Sequence, residues 1–439
     1  MRVFSILVFL FAVGANAAPI EAPLQFKAYK DGIDSLLSWS PSQVVLSKQP
    51  PAGEWKLPSL KSSVPAFALL KLADTEFLIV LDNKSPKDPF YTRLYFDANA
   101  NRDLTDDPEV ATAGDYSWWF GSARLSTTSA VNVTFPVNGQ LVPYAFSIHV
   151  SCGFSGFSTS LKQNGNWERL SFYVQPSCLL AGEFDYAGEH YLVSLCDQNC
   201  NGRFDDPAAR PQNGVADYYF NSGDAMFITT GRQVEYGDEV GMGGYLGIKD
   251  TLFQVQVDRV ANKMTLIPVT ESLGKLNLPQ GVVRLVLART DTKSAVTVID
   301  SGPSIALPAG EYRVYSYSVA RKDASGKYWR LEARGSAKGI ASRVVEGKET
   351  TLVACDPFQP RMKLAYYREP GFLDWEGSAS FDFQLRGAAG EEVVGLYCGG
   401  KTPTDPLSSL QWTRPPKSPT YKIMTSDGQI VAQGQFEYG

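Results

Sequence analysis

The stretch CLLAGEFDYAGEHYLVSLC, Cys178 to Cys196, decides how the chain is read. Two runs rich in Leu, Val, Phe and Tyr flank Ala187-Gly188, the signature of a β-hairpin. Centred on Ala187, the hairpin sets Glu183 opposite Tyr191 and Cys178 opposite Cys196. Cross-strand Cβ atoms in such a pair lie near disulfide range. The expected pairing is therefore Cys178–Cys196, with Cys152–Cys200 and Cys355–Cys398 completing the set.

The same pattern recurs along the chain. AFALLKL, EFLIVLD, TRLYFD, LFQVQVD, KMTLIPV, VVRLVLAR and YKIMTS are short, rich in strand formers and separated by turn residues. Thirty-eight glycines and twenty-seven prolines fit many turns. Apolar residues nowhere keep helical spacing over four turns, so helix is confined to short pieces near Lys30–Ser38 and Ala208. The expected fold is mostly β: several small antiparallel β-sandwich or barrel-like modules with little helix.

The segment MRVFSILVFLFAVGANAAP has a positive start, an apolar run from Val3 to Val13 and small residues at Ala15 and Ala17. It reads as a signal peptide over residues 1–17. No later run is long enough to span a bilayer. The mature chain is expected to be secreted or periplasmic, where six cysteines favour disulfides. Hydrophobic content of 44% supports real cores. A formal charge of -5, with no basic stripe, excludes nucleic acid as the expected partner. Residues 18–269 read as an N-terminal β-rich region, 282–353 as a β-sandwich and 354–439 as a C-terminal β-sandwich. ESLGKLNLPQG, Glu271 to Gly281, reads as a linker. YKIMTSDGQIVAQGQF reads as an Asp-Gly hairpin.

The hairpin runs directly into CDQNCNGRFDDP, Cys196 to Pro207. Asp197, Asn199 and Asn201 alternate, Gly202 is sixth, Arg203 seventh and Phe204 eighth, and Asp205 and Asp206 follow. A hundred residues earlier FDANANRDLTDD places Asp97, Asn99, Asn101, Arg102, Asp103, Leu104, Asp106 and Asp107 in the same order. Alternating hard oxygen donors, a sharp bend and closing carboxylates are what Ca²⁺ requires. The seventh residue offers its carbonyl, and the apolar eighth anchors the loop. At these residues the sequence resembles the calcium-binding loops of EF-hands and dockerins, D-x-[DN]-x-[DN]-G. The resemblance implies calcium as the bound ion. Two departures stand out: the twelfth position is Pro108 or Ala208, and a strand precedes each loop. Arg102 replaces the glycine, so the first loop is expected to bend differently or bind more weakly.

ALPAGEYRVYSYSV, from Ala306, resembles the LPAGxYxV turn-strand of transthyretin-like and carboxypeptidase-regulatory-like modules. Taken whole, the chain resembles uncharacterised secreted bacterial proteins with DxNxNG-type loops on β-hairpins and a GxFEYG-like ending, here Gly434 to Gly439. That resemblance implies no activity. His149 and His190 lack partner motifs and read as structural. CGFSGFS lacks the glycine spacing of a nucleophile elbow. Trp118, Trp119 and Phe120 read as core, with a sugar-stacking platform as the alternative. Asn83 and Asn132 begin glycosylation sequons. The expected function is an exported, calcium-stabilised structural or binding module of the cell envelope, with a protein or glycan partner. The alternatives are a secreted hydrolase acting on polysaccharide or peptide, and a glycan-binding protein.

Overall fold

A computed structural model describes residues 18–28, 42–117, 122–153, 169–207, 223–230, 239–242, 244–270, 272–290, 294–326, 328–336, 339–368, 378–400 and 420–435. The signal segment, both expected helices, Trp118 to Phe120, most of CGFSGFS and the final four residues lie outside them. Among the described residues there are thirty strands and no α-helix. The fold is mostly β and divided among several sheets. No described helix is long and apolar enough to cross a membrane.

The largest sheet has 16 strands. The first described strand, Ile20–Ala28, joins its two halves. On one side it pairs with Cys178–Tyr186, and on the other with Lys263–Pro268. Residues far apart in sequence thus close one core. Alternate residues of these strands and of Glu189–Cys196 bury Leu24, Leu180, Val193 and Leu266 against Phe96, Phe146 and Tyr144 of neighbouring sheets. A three-stranded sheet, Ala66–Leu72, Thr75–Asp82 and Arg93–Phe96, ends at the first Asp/Asn loop.

A second core lies between two facing sheets. Leu276, Ile305 and Leu307 of the smaller sheet pack on Leu285, Val298 and Val314 of the larger. Leu273–Asn277, inside the stretch read as a linker, is a strand between Ser304–Pro308 and Glu349–Thr351. At the LPAG corner the chain crosses from one sheet to the other. Buried Tyr312 braces the corner by donating its hydroxyl hydrogen bond to the Pro308 carbonyl at 2.8 Å. Tyr328–Arg334 pairs with Glu392–Gly400, so the large sheet continues past residue 354. The Asp-Gly hairpin forms as expected: Thr420–Met424 pairs with Ile430–Gln435 around Gly428.

The expected disulfides do not form. Cys152, Cys178, Cys196, Cys200 and Cys355 are buried thiols outside any disulfide. The central hairpin explains the first failure. Ala187 and Gly188 both take positive φ, 50° and 81°, and make a two-residue turn closed by Tyr186 and Glu189. Phe184, not Glu183, therefore faces Tyr191. A slip of one residue sends side chains to opposite faces. Cys178 joins the main core, while Cys196 packs on the other face with Leu179, Ala225 and Phe227.

Cys152 sits opposite Leu170, but Cys200 Sγ lies 3.5 Å from the carbonyl of Val174 on the same strand. Four strand residues separate the two by about 13 Å, beyond disulfide reach. Cys355 packs beside the Glu391 carboxylate. Cys398 lies farther along Glu392–Gly400, and its side chain is outside the described set. Native protein should therefore melt identically with and without reductant, and a thiol reagent should titrate these cysteines only after unfolding. A reductant-sensitive melt would contradict thiols that stand outside any disulfide.

Candidate metal centre in the Asp/Asn loops

The second loop starts where the hairpin strand Glu189–Cys196 ends. Asp197 is fully buried. Its Oδ2 accepts hydrogen bonds from the Gly202 N–H at 2.6 Å and the Tyr144 hydroxyl at 2.7 Å. Its Oδ1 accepts the Asn201 N–H at 3.2 Å. Asn199 Oδ1 accepts the same N–H, and Asn201 Oδ1 accepts the N–H of Arg203 at 2.8 Å. The side-chain amides of Asn199 and Asn201 both donate to Asp206 Oδ2, the first at 3.0 Å. Phe204 anchors the loop edge-on to Tyr144, with centroids 6.3 Å apart. The Arg259 guanidinium covers Phe204 at 5.0 Å.

The first loop repeats the backbone part of this network and the bond from its second Asn amide to the closing carboxylate. Asp97, also fully buried, accepts the N–H groups of Asn101 and Arg102. Asn99 Oδ1 accepts the N–H of Asn101, and Asn101 Oδ1 that of Asp103. The amide of Asn101 donates to Asp106 Oδ2 at 2.8 Å. Leu104, the eighth residue, is buried with Phe67, Leu78 and Val80. Backbone angles match too: φ is 55° at both Ala100 and Cys200, 67° at Arg102 and 83° at Gly202.

Arg102 thus adopts the left-handed bend expected only of glycine, at a cost of about 1–2 kcal/mol. Its guanidinium stacks 5.2 Å from the Trp55 ring, and its carbonyl accepts the Lys56 N–H. Asp103 turns outward to Lys56 at 2.7 Å. That hydrogen bond holds the Asp103 carboxyl down at about 2.

The structure adds one residue that the sequence reading missed. Asp224, only 1% exposed, precedes the strand Ala225–Thr230 and accepts the N–H groups of Gln198 and Asp206. In the first loop Asp107 takes the corresponding bond, from Ala98 at 3.2 Å. The second loop has Pro207 at that position, and this substitution was the only signal in the sequence. Asp205 stays outside the network, exposed on a 540 Å³ cleft with Asp74, Arg203 and Lys263.

Burial pushes the Asp197 carboxyl up to about 6. Burial, then the neighbouring charge of Asp197, pushes Asp224 up to about 9. Neither carboxylate has an ion-pair partner among the described residues. No three His, Cys, Asp or Glu side chains gather there as a metal site. The donors of each loop are instead two carboxylates, two amides and a carbonyl, a hard-oxygen set that suits Ca²⁺. Asn199 Oδ1 and Asn201 Oδ1 each accept one N–H and keep a second lone pair that an ion could use.

Both histidines lie on strands beside polar partners. His149 Nδ1 lies 3.0 Å from Ser126 Oγ, and its ring stacks on Tyr173. His190 sits across the hairpin from Asp185, whose carboxylate is 2.7 Å from Nδ1 and raises the imidazole pKa above 6.5. Any stability from this pair is present below pH 6.5 and fades as pH rises through the folded pKa. An NMR titration should place the His190 midpoint above 6.5, and Asp185→Asn should lower it. An unchanged midpoint would show that the contact does not persist. Of the two sequons, Asn83 is 4% exposed and hydrogen-bonded to the Asp88 carbonyl, whereas Asn132 is exposed.

No family model, curated protein or solved structure matches the chain.

Proposed function

We propose that this chain is an exported, calcium-stabilised β protein that serves as a structural or binding module of the cell envelope. One observation carries the reading. Two loops a hundred residues apart share one network, and each buries its leading carboxylate completely. Buried like charges without a direct ion-pair partner are costly, and a divalent ion bound by the loop oxygens offsets them. Asp197, Asn199, Asn201, the Arg203 carbonyl and Asp206 would hold one ion. Asp97, Asn99, Asn101, the Asp103 carbonyl and Asp106 would hold the other. The ion supplies charge neutralisation and fixes the strand exits. Asp97 and Asp197 both accept backbone N–H groups of their own loops, which argues for a structural rather than an acid–base role. Export rests on the N-terminal segment.

Extracellular modules bind calcium with dissociation constants of about 10⁻⁴ to 10⁻³ M. At about 1 mM free calcium each site adds roughly 0.4–1.4 kcal/mol. Two sites should raise the melting temperature by about 2–5 °C over that in EDTA. Superimposable melts in calcium and EDTA would refute the proposal.

A further inference from the structure

We propose that Asp224, which lies outside the second loop, is the positioning residue that closes this loop for calcium. Occupancy of the second loop is thereby coupled to the strand Ala225–Thr230. The inference rests on the calcium reading and names how that site is regulated.

One side chain holds both ends of the loop. Asp224 Oδ1 accepts the N–H of Gln198, the second loop residue, at 3.2 Å. Its Oδ2 accepts the N–H of Asp206, the tenth, at 2.8 Å. The main chain adds a third tie, from Asp224 N–H to the Asp206 carbonyl at 2.9 Å. The carboxylate that receives the Asn199 and Asn201 amides is thus set by a residue beyond the loop.

Asp224 is itself fixed by its strand. Ala225 pairs with Cys196, the residue before the loop, and on the other side with Gly241. Met242 N–H donates to the Asp224 carbonyl at 3.2 Å. The first loop needs no such help. Asp107, the next residue after Asp106, takes the Ala98 N–H, so that loop is closed by its own chain. The two loops therefore share a network and differ in what holds them shut. Binding that requires the closed loop must stabilise docking of Ala225–Thr230 by the same free energy that docking adds to binding.

The test uses the mature chain in two backgrounds, Asp97→Asn to isolate the second loop and Asp197→Asn to isolate the first. Calcium chloride is titrated by calorimetry, and amide hydrogen exchange is followed with calcium and with EDTA. Asp224→Ala should weaken the second loop for calcium by about tenfold or more, as loss of an outer-shell partner does. The first loop should stay within about twofold, as expected of a distant site. Calcium should slow exchange at Met226 to Ile228, and Asp224→Ala should abolish that slowing. Asp224→Asn keeps the volume and serves if the alanine variant does not fold.

Second-loop affinity within about twofold of the parent overturns the inference and leaves the calcium reading standing. Absence of calcium binding in both backgrounds refutes the calcium reading. Exchange at Gln198 and Asp206 in EDTA still decides the clamp then: faster exchange in the variant upholds it, and unchanged exchange overturns it.

Discussion

Asp197→Ala should destabilise the protein by about 3–5 kcal/mol, because a buried group with several partners is lost. The variant leaves the Tyr144 hydroxyl and the Gly202 N–H without their acceptor in a buried site, while the Asn201 N–H keeps Asn199 Oδ1. Each buried donor left unsatisfied costs about 1–3 kcal/mol. Asp197→Asn keeps one acceptor oxygen and should cost less. Both variants should lose the calcium increment of the second loop. Denaturant melts in calcium and EDTA separate the two effects, and an Asp197→Ala midpoint equal to wild type in both would contradict the network.

The sign of the pH dependence follows from the same residues. Without calcium, a raised folded pKa means that the folded state holds its proton more tightly. The contribution of Asp197 is then present below about 3.8 and lost as pH rises through about 6. That of Asp224 is lost as pH rises through about 9. Calcium competes with those protons, so its stabilising increment should grow as pH rises. A calcium increment that shrinks as pH rises would count against carboxylate ligation.

Gly202→Ala is the second large effect, expected at about 2–4 kcal/mol from overpacking and strain together. A Cβ built on Gly202 lies 2.5 Å from Phe135 Cζ and 3.3 Å from Leu72 Cβ. Both neighbours are fully buried and cannot move aside cheaply. The left-handed bend is not by itself what demands glycine, since Arg102 makes the same bend in the first loop. Arg102 is exposed and extends toward Trp55. The two loops differ at the sixth position because one packs on a core and the other faces solvent. Urea unfolding of Gly202→Ala and Arg102→Ala compares them, and the first should lose far more stability. A Gly202→Ala loss no larger than the ~1–2 kcal/mol of a left-handed bend would show that strain, not packing, governs that position.

Much of this was legible in the primary structure because it is local. Alternating apolar residues and turn residues specify strands, and the mostly β fold follows from them. The order Asp-x-Asn-x-Asn specifies a tight loop, because short polar side chains bond the backbone two residues on. Both loops could therefore be placed, with Phe204 and Leu104 as their buried anchors.

Register and long-range closure were not legible. Whether the Ala187 turn holds two or three residues is a difference of one, yet it decides which face Cys178 and Cys196 occupy. Cys152 and Cys200 meet the same strand at positions about 13 Å apart, a distance fixed only when that strand pairs. Leu273–Asn277 looked like a connector because its strand partners lie thirty and seventy residues away. Asp224 was invisible for the same reason: nothing near it in sequence reveals that its carboxylate replaces Asp107. The sequence by itself determined strands, turns and loop chemistry, since neighbours along the chain set those. Only the tertiary structure decided which thiols stay apart, why one loop needs glycine, and which distant carboxylate closes it, because each depends on packing between segments that the chain order does not join.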